Sequence, residues 1–245
     1  MPALEELKVK IFADGADLAV ISRMSANPLI KGFTTNPTLM RKANVRDYSG
    51  FAHEVLQIVG DRPVSFEVFS DEFAEMEVQA LEIASWGSNV FVKIPVMTTQ
   101  GEFSGPLIRR LTHAGVQVNV TALMTAHQVA RVAENLAPDR RSFVSVFAGR
   151  IADTGRDPMP IMAEAVNLLR QHPKAELIWA SPRELLNIFQ ADATGCHVIT
   201  VTMEVLAKLK MVGKDLETLS QETVRMFRED AIKAGYTISV GSREG

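Results

Sequence analysis

A single cysteine, Cys196, occurs in 245 residues, so no disulfide forms within the chain, which fits a reducing, cytoplasmic setting. Neither sign of charge dominates. The 26 Lys+Arg and 29 Asp+Glu leave a net charge of −3, and nothing argues for nucleic acid or an anionic membrane surface as partner. The charged N-terminus, MPALEELKVKIF, has no apolar run long enough for a signal peptide or a membrane span. No Pro/Gly-rich linker, low-complexity tract or charge block divides the sequence, so one domain is expected over residues 1–245. The histidines (His53, His113, His127, His172 and His197) are scattered without ligand-pair spacing, which disfavours a zinc-type centre. G-x-x-x-x-G-K-[ST] and G-x-S-x-G are both missing, which takes support from nucleotide hydrolysis and α/β-hydrolase chemistry.

What is present is a period. Short apolar or β-branched runs recur at residues 9–15, 30–37, 63–69, 89–96, 116–123, 142–150, 176–182 and 196–202. Most are near-continuous rather than alternating, as in strands covered on both faces. Helical spacing lies between them. FAEMEVQALEIASWG ends on a capping Gly, AHQVARVAENLAP ends on a Pro, and PMPIMAEAVNLLRQHP has Pro at both ends. Between the first two strands there is room only for a short helix around Asp17–Ser25. Eight strands alternating with helices predict a (β/α)8 barrel. An open doubly wound sheet is the alternative, but the first turn, Asp14-Gly-Ala-Asp17, lacks G-x-G-x-x-G.

A barrel gathers its active site at the C-terminal ends of the strands. Those ends carry Asp14, Asn36, Glu67, Lys93, Asn119 with Thr121, Ser145 with Arg150, and Ser181 with Arg183. Lys93, inside Val-Phe-Val-Lys-Ile-Pro, is the sharpest signal, because lysine is rarely buried without a partner or a purpose. Desolvation favours the neutral amine, which can form a Schiff base with a carbonyl; the plainer reading is a structural ion pair with Glu67 or Asp14. Glu67, between apolar neighbours, suits proton transfer, and Asp14 offers a second carboxylate unless it merely caps a helix. Asn36-Pro37 also fits a helix cap. Ser181-Pro182-Arg183-Glu184 fits a capping box whose helix N-terminus would hold an anion, with Arg150 as a second guanidinium unless it pairs with Asp153 or Asp157. His197, opening the eighth strand at the far end of the barrel, is expected to be structural.

Taken in order, Asp14-Gly-Ala-Asp17, Thr34-Thr-Asn-Pro37, Ser65-Phe-Glu-Val68, Val92-Lys-Ile-Pro95, Asn119-Val-Thr121, Ser145-Val-Phe-Ala-Gly-Arg150 and Ala180-Ser-Pro-Arg183 resemble the motifs of the transaldolase family. The resemblance runs from Ile11 to about Tyr236 and is closest to short members, which include fructose-6-phosphate aldolase. It implies that Lys93 is the Schiff-base lysine and that Asp14 moves protons to and from the sugar hydroxyl at the cleaved bond. It places Glu67 and Thr121 at the catalytic water, Asn36, Asn119 and Ser145 on sugar hydroxyls, and Arg150, Ser181 and Arg183 on the phosphate. Fructose-6-phosphate aldolases resemble this chain but carry tyrosine where it has Phe147 and glutamine where it has Glu67, so the resemblance points to transaldolase. Two further differences are Gly15, where the family usually has threonine, and Pro182, where it usually has phenylalanine.

The expectation is a cofactor-free, metal-free transferase that moves a dihydroxyacetone unit from fructose 6-phosphate or sedoheptulose 7-phosphate to an aldose phosphate. Its alternatives are a lyase releasing free dihydroxyacetone, a transaldolase acting on a sulfonated sugar, and a non-catalytic sugar-phosphate-binding barrel. Residues 203–236 read as two helical stretches beyond the last strand, the second with apolar Val224, Phe227 and Ile232 and a stop at Gly235. The resemblance implies a homo-oligomer formed through this end; a helix folded back on its own barrel is the alternative.

Overall fold

Eight parallel strands close into a barrel in chain order, each hydrogen-bonded to the next and the last to the first. They are β1 (Lys10–Asp14), β2 (Ile30–Thr34), β3 (Val64–Glu67), β4 (Val90–Pro95), β5 (Val118–Leu123), β6 (Ser142–Val146), β7 (Ala175–Trp179) and β8 (Val198–Val201). The computed structural model describes residues 4–238; residues 1–3 and 239–245, at the two ends of the expected domain, lie outside it. The described chain divides into two compact units, the barrel up to Ala207 and a C-terminal unit from Lys208.

Helices link the strands. They are α1 (Leu18–Ser25), α2 (Pro37–Lys42), α3 (Tyr48–Val59), α4 (Phe73–Ser85), α5 (Gly105–His113), α6 (Ala126–Ala133), α7 (Ala148–Ala152), α8 (Met159–Leu169), α9 (Leu186–Ala193) and α10 (Met203–Leu206). Their ends follow local chemistry. Asp17 caps α1 by accepting from the Val20 N–H, Asn36 caps α2 with Pro37 at its first position, and Thr125 with Gln128 forms a capping box on α6. In the C-terminal unit, α11 (Leu216–Lys233) starts at the Asp215 cap. It ends with the Gly235 N–H on Ile232 O and the Tyr236 N–H on Ala231 O, with Gly235 at positive φ, a Schellman closure.

The side-chain period of two along a strand builds both floor and site. Phe12, Phe91, Phe143, Ile178 and Val198 pack together inside the barrel, with Phe143 edge-on to Phe12 at 5.5 Å and 4.2 Å from Phe91. Two residues further along the same strands stand Asp14, Lys93, Ser145, Ala180 and Thr200, all lining a cavity at the C-terminal mouth. Gly32 makes the floor possible: a Cβ there would lie 2.5 Å from the Phe12 ring.

Two expectations change. The sixth run ends as a strand at Val146, and Arg150 rides on the short helix α7 rather than closing β6. The chain turns there because the Phe147 N–H donates to Leu123 O and Gly149 lies so close to Ser181 that a Cβ would stand 1.6 Å from its carbonyl oxygen. Ser181 does not cap a helix either. It sits past the end of β7 at φ 59°, in the left-handed region, and α9 begins only at Leu186. The Asn187 side chain instead accepts from the N–H groups of Arg183 and Glu184.

Candidate active site

One cavity of about 400 Å³ at the C-terminal mouth is lined by all ten predicted positions: Asp14, Asn36, Glu67, Lys93, Asn119, Thr121, Ser145, Arg150, Ser181 and Arg183. They come from seven strands and the turns or, for Arg150, the short helix after them, so the closed barrel brings them together.

Lys93 is 6% exposed on β4. Its Nζ donates to Thr35 O at 2.9 Å and stands 2.9 Å from Glu67 Oε2. The ion pair expected as the plain reading is therefore present, and it faces an open cavity rather than a packed core. Strand register sets it, since Glu67 pairs with Lys93 and Lys93 with Asn119 across neighbouring strands.

Asp14 is not a helix cap; Asp17 has that role. Thr34 Oγ1 donates to Asp14 Oδ1 at 2.8 Å, and Asn36 Nδ2 reaches Oδ2 at 3.5 Å. Burial pushes the Asp14 carboxyl above the ordinary aspartate range. The Lys93 charge and the Thr34 hydrogen bond pull it back, while the Glu67 carboxylate pushes it further up. A carboxyl shifted this way and open to a cavity suits taking up and returning a proton.

Asn119 and Ser145 form a buried chain, Ser145 Oγ donating to Asn119 Oδ1 at 2.7 Å and Asn119 Nδ2 donating to Ser65 Oγ at 3.0 Å. Thr121 Oγ1 is buried without a protein partner and lines the cavity. It is followed by Ala122 at φ 65°, where the β5–β6 register shifts. Arg150 and Arg183 mark the cationic end. Arg150 lies over the Phe147 ring at 5.6 Å, and Arg183 Nε donates to Asp153 Oδ1 at 3.0 Å, with a second bond from Nη2 to Oδ2. Asp153 thus pairs with Arg183 rather than with Arg150. The hydrogen bonding from Arg183, then its charge and that of Arg150, hold the Asp153 carboxyl below its usual range.

Sequence reasoning assigned no role to Thr34, Thr35 or Thr200. Thr34 Oγ1 shares a 2.5 Å hydrogen bond with Thr200 Oγ1 besides its bond to Asp14, and Thr35 supplies the carbonyl that holds Lys93. Thr34 and Thr35 stand beside Asn36 in one motif, which was their only signal; Thr200, in the eighth apolar run, had none. His197 is placed as expected, before β8, with its Nδ1 accepting from the Leu177 N–H. Among the described residues, no group of three or more His, Cys, Asp or Glu is placed to hold a metal ion.

A closed parallel barrel with a buried lysine, two carboxylates and two arginines in one mouth defines a class of sites suited to carbonyl chemistry on an anionic substrate. Residues 11–238 match the family model described as transaldolase/fructose-6-phosphate aldolase, and the chain belongs to that family. It is 35% identical over 231 residues, 94% of this chain and all of the relative, to a "Probable transaldolase" of Thermoanaerobacter sp. (strain X514). It is 34% identical to another of that name from Dehalococcoides mccartyi, covering 82% of this chain and 90% of the relative. Among solved structures, a candidate phosphonomutase from Burkholderia cenocepacia J2315 matches with a TM-score of 0.56 over 89% of this chain and 96% of that one. At 12% identity it shares the fold alone. No helix among the described residues is long and apolar enough to cross a membrane.

Proposed function

We propose that this chain is a class I transaldolase that carries a dihydroxyacetone unit from fructose 6-phosphate or sedoheptulose 7-phosphate to an aldose phosphate. The observation that carries this reading is Lys93, buried on β4 yet open to a cavity it shares with Glu67, Asp14 and two arginines. Lys93 Nζ gives a proton to Glu67 and attacks the substrate ketone; the ketone oxygen takes up that proton and one from the attacking nitrogen and leaves as water, giving an imine. Asp14 takes the proton from the hydroxyl beyond the bond to be cut, that carbon–carbon bond breaks, and the aldehyde half departs. The bonding pair remains as an enamine on Lys93, because the imine nitrogen is the electron sink. The enamine then attacks the acceptor aldehyde, Asp14 returns the proton, and water releases the new ketose.

Glu67 and Thr121 order the water given up and taken back at the imine. Asn36, Asn119 and Ser145 hold sugar hydroxyls, and Arg150, Ser181 and Arg183 hold the phosphate. Binding energy at that remote anion positions the reacting end. The protein works in the cytoplasm without a cofactor, as a homo-oligomer formed through its C-terminal helix. Glu67 and Phe147, where aldolases of the family carry glutamine and tyrosine, support transfer over release of free dihydroxyacetone.

The test is intact mass after incubation with fructose 6-phosphate and borohydride, with peptide mapping. A reduced three-carbon adduct on Lys93 is expected. Product formation that depends on added erythrose 4-phosphate separates transfer from lyase action. Parallel assays with a sulfonated hexose address that alternative. No adduct in a protein stabilised by sugar phosphates would point to a binding barrel instead.

A further inference from the structure

Tyr48, the first residue of α3, makes two hydrogen bonds with a single backbone residue of the site. Its hydroxyl accepts from the Glu67 N–H at 2.7 Å and donates to the Glu67 carbonyl at 2.9 Å. The barrel topology explains why these groups are free. β2 pairs with β3 only at Phe33↔Val64 and Thr34↔Ser65, because the chain leaves the barrel after Thr35 to enter α2. Past Ser65 the edge of β3 that faces β2 has no strand partner, and this is the edge on which Glu67 presents its N–H and C=O.

We propose that Tyr48 is a positioning residue: its hydroxyl replaces the missing strand at the end of β3 and so holds Glu67 opposite Lys93. The aromatic ring is braced for this. Trp86 meets it edge-on at 5.5 Å, Phe66 at 6.2 Å, and Phe69 leans against it at 4.6 Å. Burial also pushes the Tyr48 phenol above its ordinary range, so it keeps the proton it donates at any working pH. With both backbone groups of Glu67 fixed, its side chain starts from a defined point and reaches Lys93 Nζ at 2.9 Å. Without the hydroxyl, the last residue of a four-residue strand is held on its β4 side alone.

This rests on the reading that Lys93 forms the imine and that Glu67 manages the water there. The experiment is a double-mutant cycle between Tyr48→Phe and Glu67→Gln, with turnover, KM and the rate of borohydride-trapped adduct formation measured on folded protein. Tyr48→Phe keeps the ring cluster and removes one oxygen. We expect kcat and trapping rate to fall about tenfold with KM within about twofold, and no further loss when the change is added to Glu67→Gln. Wild-type kcat in Tyr48→Phe, or the same tenfold loss in both backgrounds, overturns the proposal. Should Tyr48→Phe fail to fold, Tyr48→His, whose ring nitrogen can satisfy one of the two groups, is expected to fall between; a wild-type rate there overturns it equally. A missing adduct in the wild type sinks the functional reading and this inference with it, whereas a normal adduct with an indifferent Tyr48→Phe sinks this inference alone.

Discussion

Glu67 and Lys93 face each other in register on neighbouring strands, carboxylate oxygen and ammonium nitrogen 2.9 Å apart, both beside the same cavity. Breaking a largely buried pair by removing one partner leaves a charge without compensation, so such pairs persist where both members are needed. In the proposed mechanism the pair would keep the nucleophile in contact with the group that orders its water before any substrate arrives.

Lys93→Ala removes the nucleophile. Turnover is expected to fall at least about 1000-fold, with no borohydride adduct, because no other lysine among the described residues lines the cavity. Near-normal turnover in this variant would contradict the mechanism.

Asp14→Asn is expected to inactivate the protein and to stabilise it. The raised titration of Asp14 means the fold prefers the neutral carboxyl, so that contribution is full below the unfolded value of 3.8 and is lost as pH rises through the folded value. Above the folded value the ionised group therefore costs stability, and the amide relieves it by a Tm gain of about 2–4 °C. The gain should shrink toward zero as the medium is acidified below 3.8. Thermal melts across pH check both parts; an equal gain at every pH would assign it to something other than this titration.

Thr34→Val deletes a hydrogen bond that favours ionised Asp14. The Asp14 titration should move further up, carrying the acid limb of the kcat/KM profile to higher pH. Stability should drop by about 1–3 kcal/mol, because the buried Thr200 hydroxyl loses its partner as well. An acid limb that stays in place would mean that another group sets it.

Gly149→Ala forces the turn at Ser181 to move, since the new Cβ would stand 1.6 Å from a backbone oxygen. The prediction is selective: KM for phosphorylated substrates rises about tenfold or more, while adduct formation with unphosphorylated dihydroxyacetone changes little. Steady-state kinetics with both substrates decide it, and equal losses on both would place the damage elsewhere.

In the C-terminal unit, α11 buries none of its side chains, and Val224, Phe227 and Ile232 are each more than 60% exposed. Such a stripe is the surface that the proposed association would use. Phe227→Glu should lower the oligomeric mass seen by light scattering without lowering helix content. An unchanged mass would argue against association through this helix.

Much of this was legible locally. Seven of the eight strands lie within the apolar runs read from the sequence and β7 starts one residue earlier, at Ala175, while Asp17, Asn36 and Thr125 start the helices they precede. A lysine flanked by Val92 and Ile94 signals itself, because burying an amine is costly enough to require a reason. The pattern of Ser181 and Glu184 misled for an equally physical reason. A capping box is a local preference, and here the close approach of Gly149 outweighs it and leaves Ser181 left-handed.

The sequence by itself determined where the strands run, most of the residues at their ends and, through the period of two, which of them share a face with the barrel floor. Only the tertiary structure decided which of those residues touch. Thr34 meets Thr200 across 166 positions of chain because β1 lies between β2 and β8 in the closed barrel. Tyr48 meets Glu67 because β2 leaves the sheet early. Neither contact has a local cause: each depends on where the barrel closes and where its edge opens, and those positions are set by the packing of all eight strands together.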